Sequence, residues 1–136
     1  MLISFTVYGE PVAKGRPRFS TRGGFGRTYT PAKTAQAEKN FLAQAIKFKP
    51  ETPIETAVNI KMRIFRQPPK SLSKKKLQEI ENCEHFPTTR PDLDNYMKLI
   101  FDAMNGVFWR DDSQITALYA GKFYDKTPRI EIEIAY

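Results

Sequence analysis

Five of the six aspartates of this 136-residue chain fall between Asp92 and Asp112. They lie in the stretch Arg90 to Ile115, RPDLDNYMKLIFDAMNGVFWRDDSQI. Asp92 and Asp94 flank Leu93, where the chain is expected to enter a helix. In extended backbone an Asp-x-Asp pair points both carboxylates the same way, near enough to share a divalent cation. Crowding two carboxylates without a cation raises one of their pKa values, and a hard cation removes that cost. Magnesium takes a few carboxylates together with waters and substrate phosphate oxygens. Asp111-Asp112 is a second acidic pair, and a chain that turns back at Gly106 brings one of that pair to the same place. Lys98 stands one helical turn after Asp94 and one before Asp102. Carboxylates for a cation, with a lysine on the same face, are the parts needed to attack a phosphodiester.

Each part also has a plain structural explanation. Asp94 alone is an ordinary N-cap, Asp92 a solvated loop residue, and Asp-Asp a commonplace turn. Lys98 and Asp102 by themselves make a surface pair worth only a few tenths of a kcal/mol, on the order of 0.3. The conjunction, in a chain that is otherwise basic, favours the chemical reading.

The charge distribution points the same way. The net charge is +7, a balance suited to a polyanionic partner. Residues 1–91 hold 17 Lys and Arg against 7 acids, whereas residues 92–136 hold 5 against 8. Between Glu10 and Glu38 there is no acid, and there are six basic residues: Lys14, Arg16, Arg18, Arg22, Arg27 and Lys33. Phe19, Phe25 and Tyr29 are interleaved with them. Such a segment supplies salt-dependent phosphate affinity and aromatic rings that can stack on bases, or else a loop whose aromatics fold onto the core. The run Lys74, Lys75 and Lys76 opens a short helical segment and so opposes the helix dipole. It makes sense against phosphate, and equally as a solvated face. One cysteine, Cys83, and one histidine, His85, cannot make a tetrahedral zinc site or a disulfide framework.

The elements that must position these residues follow from periodicity. Leu2 to Tyr8 alternates as a strand with Ile3, Phe5 and Val7 inward. Residues 9–30 read as a basic loop. Thr30-Pro31 caps a helix that runs to about Phe48, with Phe41, Leu42, Ala45 and Ile46 on its core face. Ala57 to Phe65 is a strand with Val58, Ile60, Met62 and Ile64 inward. A short helix from Ser71 to about Asn82 and a linker from Cys83 to Pro91 precede the helix beginning near Asp94. That helix has the apolar stripe Leu93, Met97, Ile100, Phe101 and Met104, and it stops at Asn105-Gly106. Ile115 to Tyr124 and Arg129 to Tyr136 read as two strands of a hairpin. The order β-α-β-(α)-α-β-β predicts an α+β fold, a single domain over residues 1–136 with helices packed on one mixed sheet. No run of 18 apolar residues exists, and the N-terminus is too short and too polar for a signal peptide. A cytoplasmic location and no membrane association are expected.

PDLDN followed by Lys98, then FDAMNG and WRDDSQI, resembles the signature of the RusA family of Holliday junction resolvases of phages and prophages. Lys14-Gly15-Arg16-Pro17-Arg18 and the Ser71 to Lys76 segment are similar to the phage branch of that family. The resemblance implies a homodimeric endonuclease that cuts four-way DNA junctions by paired, symmetric nicks. It implies a divalent metal, magnesium, with manganese as a possible substitute. Carried over by position, the catalytic carboxylates and metal ligands fall on Asp92, Asp94 and Asp112, and the catalytic lysine falls on Lys98. The expected DNA contacts are Lys14, Arg16, Arg18, Arg22, Arg27, Lys74, Lys75 and Lys76. A nuclease for flaps or single strands, and a DNA-binding module without chemistry, are the competing expectations.

Overall fold

A computed structural model describes residues 1–15, 18–20, 27–29 and 32–136, with side chains described outside 18–20 and 27–29. Alternation along the chain dictates the sheet. In β4 (Val58–Arg66), Val58, Ile60, Met62 and Ile64 are buried while Lys61 and Arg63 face out. In β6 (Arg129–Ala135) the buried set is Ile130, Ile132 and Ile134. In β1 (Leu2–Tyr8) it is Phe5 and Val7, with Ile3 packed beside them. Together with β5 (Ile115–Tyr124) these form one mixed sheet in the order β1-β6-β4-β5.

The expected hairpin of the last two strands is not formed. β4 lies between them, parallel to β5 and antiparallel to β6. The connector arches over the end of β4, where the Asp125 amide donates to the Arg66 carbonyl at 2.9 Å. Two strand spacings, roughly 10 Å, are within reach of four residues. The two strands with unbroken aliphatic inner faces take the centre. β5, with Gly121, Lys122 and a half-exposed Tyr119, takes the edge.

Three α-helices among the described residues lie outside the sheet: α1 (Ala32–Ala45), α2 (Lys74–Glu81) and α3 (Leu93–Met104). The expectation of an α+β fold holds. The basic loop contains a small antiparallel ribbon that alternation did not reveal, β2 (Arg18–Ser20) with β3 (Arg27–Tyr29). The expected Thr30-Pro31 cap lies outside the described residues. Of the expected core face of α1, Phe41 and Ala45 are buried and Leu42 is half-buried. Ile46 is exposed instead, because the helix tightens into a 3-10 turn over Ile46–Phe48 and changes its facing.

The helix that carries the aspartates is more deeply set than its predicted stripe. Ile100 and Met104 are buried as expected, but so are Tyr96, Leu99 and Ala103. Leu93, Met97 and Phe101 are only partly buried. The reason is that α3 packs against both α1 and the sheet, so its buried arc is wider than one stripe. Gly106, at φ +77°, ends the helix as expected. The chain then buries Phe108 and Trp109 completely. The Trp109 indole N–H donates to Asn105 Oδ1 at 2.7 Å, the partner a buried indole requires. No described helix is long and apolar enough to cross a membrane.

Candidate active site

Asp92 is the N-cap of α3, in extended backbone (φ −69°, ψ 150°), and its side chain makes no capping hydrogen bond. Its carbonyl accepts from the Asn95 amide at 3.1 Å. Asp94 stands in the first helical turn, so the expected extended Asp-x-Asp pair is corrected to one extended and one helical residue. Asp92 takes the N-cap position in extended backbone, and its carbonyl already accepts the first helical hydrogen bonds, so Asp94 falls within the helix. Both carboxylates sit where the helix dipole favours negative charge. Both side chains are exposed.

The second acidic pair is organised differently. Asp111 caps a 3-10 turn over Asp112–Gln114 in a capping box, its carboxylate accepting from the Ser113 amide at 3.1 Å. Hydrogen bonds from Ser113 hold the Asp111 carboxyl below the usual carboxylate range, and the Lys98 charge adds to the effect. Asp112 lines a hollow of about 320 Å³ with Phe101 of α3 and Ile115 to Leu118.

Gln114 pins that turn in place. Its amide donates to the carbonyls of Ile54 (2.8 Å) and Thr56 (2.9 Å) and accepts from the amides of Arg110 (2.9 Å) and Asp111 (3.0 Å). The whole hydrogen-bonding capacity of the side chain is in use. Sequence reading missed this residue, although a glutamine three positions after a capping aspartate is itself a recognisable signal.

Asp102 forms the centre of a charge network. Its Oδ2 lies 2.6 Å from Lys14 Nζ and its Oδ1 3.0 Å from Lys98 Nζ, while Lys14 Nζ also reaches Glu38 at 2.9 Å. Partial burial works against the Asp102 charge, but hydrogen bonds from Lys14 and Lys98 outweigh it and lower its pKa. Burial likewise opposes the Lys14 charge, and the hydrogen bonds to Asp102 and Glu38 outweigh it, so that pKa is raised. Lys14, expected to contact DNA, thus has its ammonium engaged inside the protein.

Two further cations that the sequence did not single out hold the approach to Asp92. Lys122 Nζ donates to the carbonyls of Thr89 and Pro91, each at 3.2 Å, and Arg66 reaches Thr89 at 3.5 Å. Beside them opens a depression of about 590 Å³, lined by Ala13, Lys14, Arg90, Pro91, Asp92 and Asn95. The Lys14 amide donates to the Asn95 carbonyl at 2.9 Å, which ties the start of the basic loop to α3.

Of the other expected DNA contacts, Lys74, Lys75 and Lys76 are exposed on the first turn of α2, with Lys76 3.3 Å from Glu79. Arg16 and Arg22 lie outside the described residues. Arg18 and Arg27 are described as backbone of β2 and β3 only.

The donor set is all carboxylate oxygen, as a hard cation requires. Among the described residues, none of Asp92, Asp94 and Asp112 joins an ion pair or accepts a side-chain hydrogen bond. No group of three or more His, Cys, Asp or Glu is gathered as a metal cluster among them either. One or two carboxylates completed by waters and phosphate oxygens is the arrangement magnesium takes, and the exposed pair on α3 fits it.

Residues 8–135 match the family model described as endodeoxyribonuclease RusA. The chain is 44% identical over 134 residues to the uncharacterized protein YqaN of Bacillus subtilis, covering 97% of this chain and 94% of that protein. It is 39% identical over 95 residues to the crossover junction endodeoxyribonuclease rusA of Lactococcus phage r1t, covering 68% of this chain and 66% of the phage protein.

Proposed function

This chain belongs to the RusA family of endodeoxyribonucleases, and on that premise we propose that it resolves four-way DNA junctions by paired, symmetric nicks in a magnesium-dependent reaction. One observation carries the assignment of the site. The first two turns of α3 present Asp92, Asp94 and Lys98 to solvent, and neither carboxylate has an ion-pair partner among the described residues. Carboxylates left without partners cost nothing in water and are ready to take a cation.

Asp92 and Asp94 would hold the divalent cation, and Asp112 is the third ligand that the family resemblance implies. When bound, the cation supplies the charge that activates water and stabilises the phosphate under attack. The Lys98 ammonium, 56% exposed, faces the phosphate and offsets its developing negative charge. The loop from residue 9 to 30, with Arg16, Arg18, Arg22 and Arg27, and the lysines of α2 hold the flanking phosphates. Their affinity falls steeply with salt. Two symmetric cuts need two sites related by a two-fold axis, hence a homodimer. The chain works as one nuclease domain over residues 1–136.

The test is cleavage of a synthetic four-way junction in magnesium, beside a flap and a plain duplex, with wild type and Asp94→Asn. The expected outcome is that wild type cuts the junction in preference to the other two, while Asp94→Asn binds it without cutting. A variant that still nicks in magnesium removes Asp94 from the site. Equal cutting of the flap replaces junction resolution with a broader branched-DNA activity.

A further inference from the structure

Lys98 has two carboxylates within reach on its own helix, Asp94 one turn before it and Asp102 one turn after. An isolated helix prefers the acid on the N-terminal side of the lysine, which would give Lys98 to Asp94. The structure has the opposite pairing: Lys98 lies 3.0 Å from Asp102, and Asp94 has no ion pair among the described residues. Tertiary structure reverses the local preference. Asp102 is only 20% exposed and Lys14 17%, so their attraction is less screened than that of a pair out on the surface. Lys14 also arrives from another element and fixes the carboxylate at 2.6 Å. One oxygen of Asp102 goes to each lysine, and Glu38, the fourth charge, balances the second lysine.

The consequence concerns Asp94. An ammonium paired with Asp94 would compete with a cation for that carboxylate. We propose that Asp102 is a positioning residue of the site: by taking the Lys98 ammonium it keeps Asp94 open to a divalent cation, and Lys14 braces Asp102 for that task. The proposal rests on the reading of Asp92 and Asp94 as cation ligands. It gives Lys14 a role in ordering the site, apart from any contact with DNA.

The experiment is a Mn2+ titration, followed by the electron paramagnetic resonance of the free ion. It compares wild type, Asp102→Asn, Lys98→Met and the double variant Asp102→Asn/Lys98→Met. In the wild-type background, Asp102→Asn should weaken Mn2+ binding about fivefold, the strength of a good exposed ion pair. In the Lys98→Met background the same change should weaken it by less than about twofold, because no ammonium remains to occupy Asp94. In single-turnover junction cleavage, the half-saturating Mn2+ concentration of Asp102→Asn should rise by the same factor, and excess Mn2+ should restore the plateau rate. A merely structural defect would lower the plateau at every metal concentration. Where Asp102→Asn does not fold, Lys14→Met/Asp102→Asn removes both halves of the partly buried pair and carries the same prediction.

An equal loss in both backgrounds would reduce the effect to bare charge and overturn the proposal. So would a wild-type protein that binds Mn2+ and cuts junctions while Asp102→Asn matches it, with the metal reading left standing. A wild-type protein that neither binds Mn2+ nor cuts would bring down the metal reading itself, and this proposal with it.

Discussion

The two ends of the aspartate segment treat their polar groups in opposite ways. At the start, Asp92, Asp94 and Lys98 are exposed, and neither carboxylate has a partner among the described residues. From Asp102 onward the polar side chains are used to hold the fold. Asp102 takes two lysines, Asn105 takes the Trp109 indole, Asp111 caps the next turn, and Gln114 makes four hydrogen bonds. A fold under selection for stability alone would not need two acids left over at the start of one helix. The satisfied end builds a rigid platform, and the unsatisfied end is what that platform presents.

The contrast is sharpest in activity. Asp92→Asn and Asp112→Asn should each lower junction cleavage about a thousandfold, the several kcal/mol expected of a cation ligand. Their unfolding free energies from urea titration should stay within about 0.5 kcal/mol of wild type, as for surface substitutions away from structural features. A large loss of stability in either variant would break the contrast.

The next effect is on the platform. Trp109→Ala empties a fully buried site and should cost about 3–5 kcal/mol in urea unfolding. Gln114→Ala should cost about 1–3 kcal/mol, because it strips partners from the carbonyls of Ile54 and Thr56 and the amides of Arg110 and Asp111. Its cleavage rate should fall as Asp112 loses its fixed turn, while junction affinity holds. Wild-type stability in Gln114→Ala would show that the capping aspartate alone maintains the turn.

The smallest effect is the pH dependence of the network around Asp102. Its pKa is lowered in the fold from an ordinary value of 3.8. Its contribution to stability is therefore present above that value and is lost as pH falls through the folded pKa below it. Lys14, raised above 10.5, contributes fully below that value and loses its contribution as pH rises through the folded pKa. Urea midpoints of wild type and Asp102→Asn should converge as pH drops below about 3.8. Parallel curves down to pH 2 would mean that Asp102 has no net stabilising role.

Much of this was legible in the sequence, for physical reasons that can be named. β1, β4 and β6 alternate because one face of each is buried, and Gly106 marks a stop that needs positive φ. The aspartates stood out because five of the six are concentrated in one segment of an otherwise basic chain. The extended Asp-x-Asp pair does not form, since α3 opens at Leu93 and takes Asp94 into its first turn. The terminal hairpin was misjudged because a short connector identifies two strands that run antiparallel, and says nothing of a third lying between them. Tyr96, Leu99 and Ala103 were missed because a single stripe assumes a single packing partner.

Local chemistry therefore decided which residues carry charge into the segment Arg90 to Ile115, and where its helix starts and stops. It also marked the chain as one suited to a polyanion. Tertiary structure alone decided which charges were consumed. Lys14 and Asp102 are 88 residues apart and meet at 2.6 Å, a contact that no spacing rule encodes. That meeting draws Lys98 away from Asp94, because a charge pair shielded from water outweighs the local preference of an exposed helix.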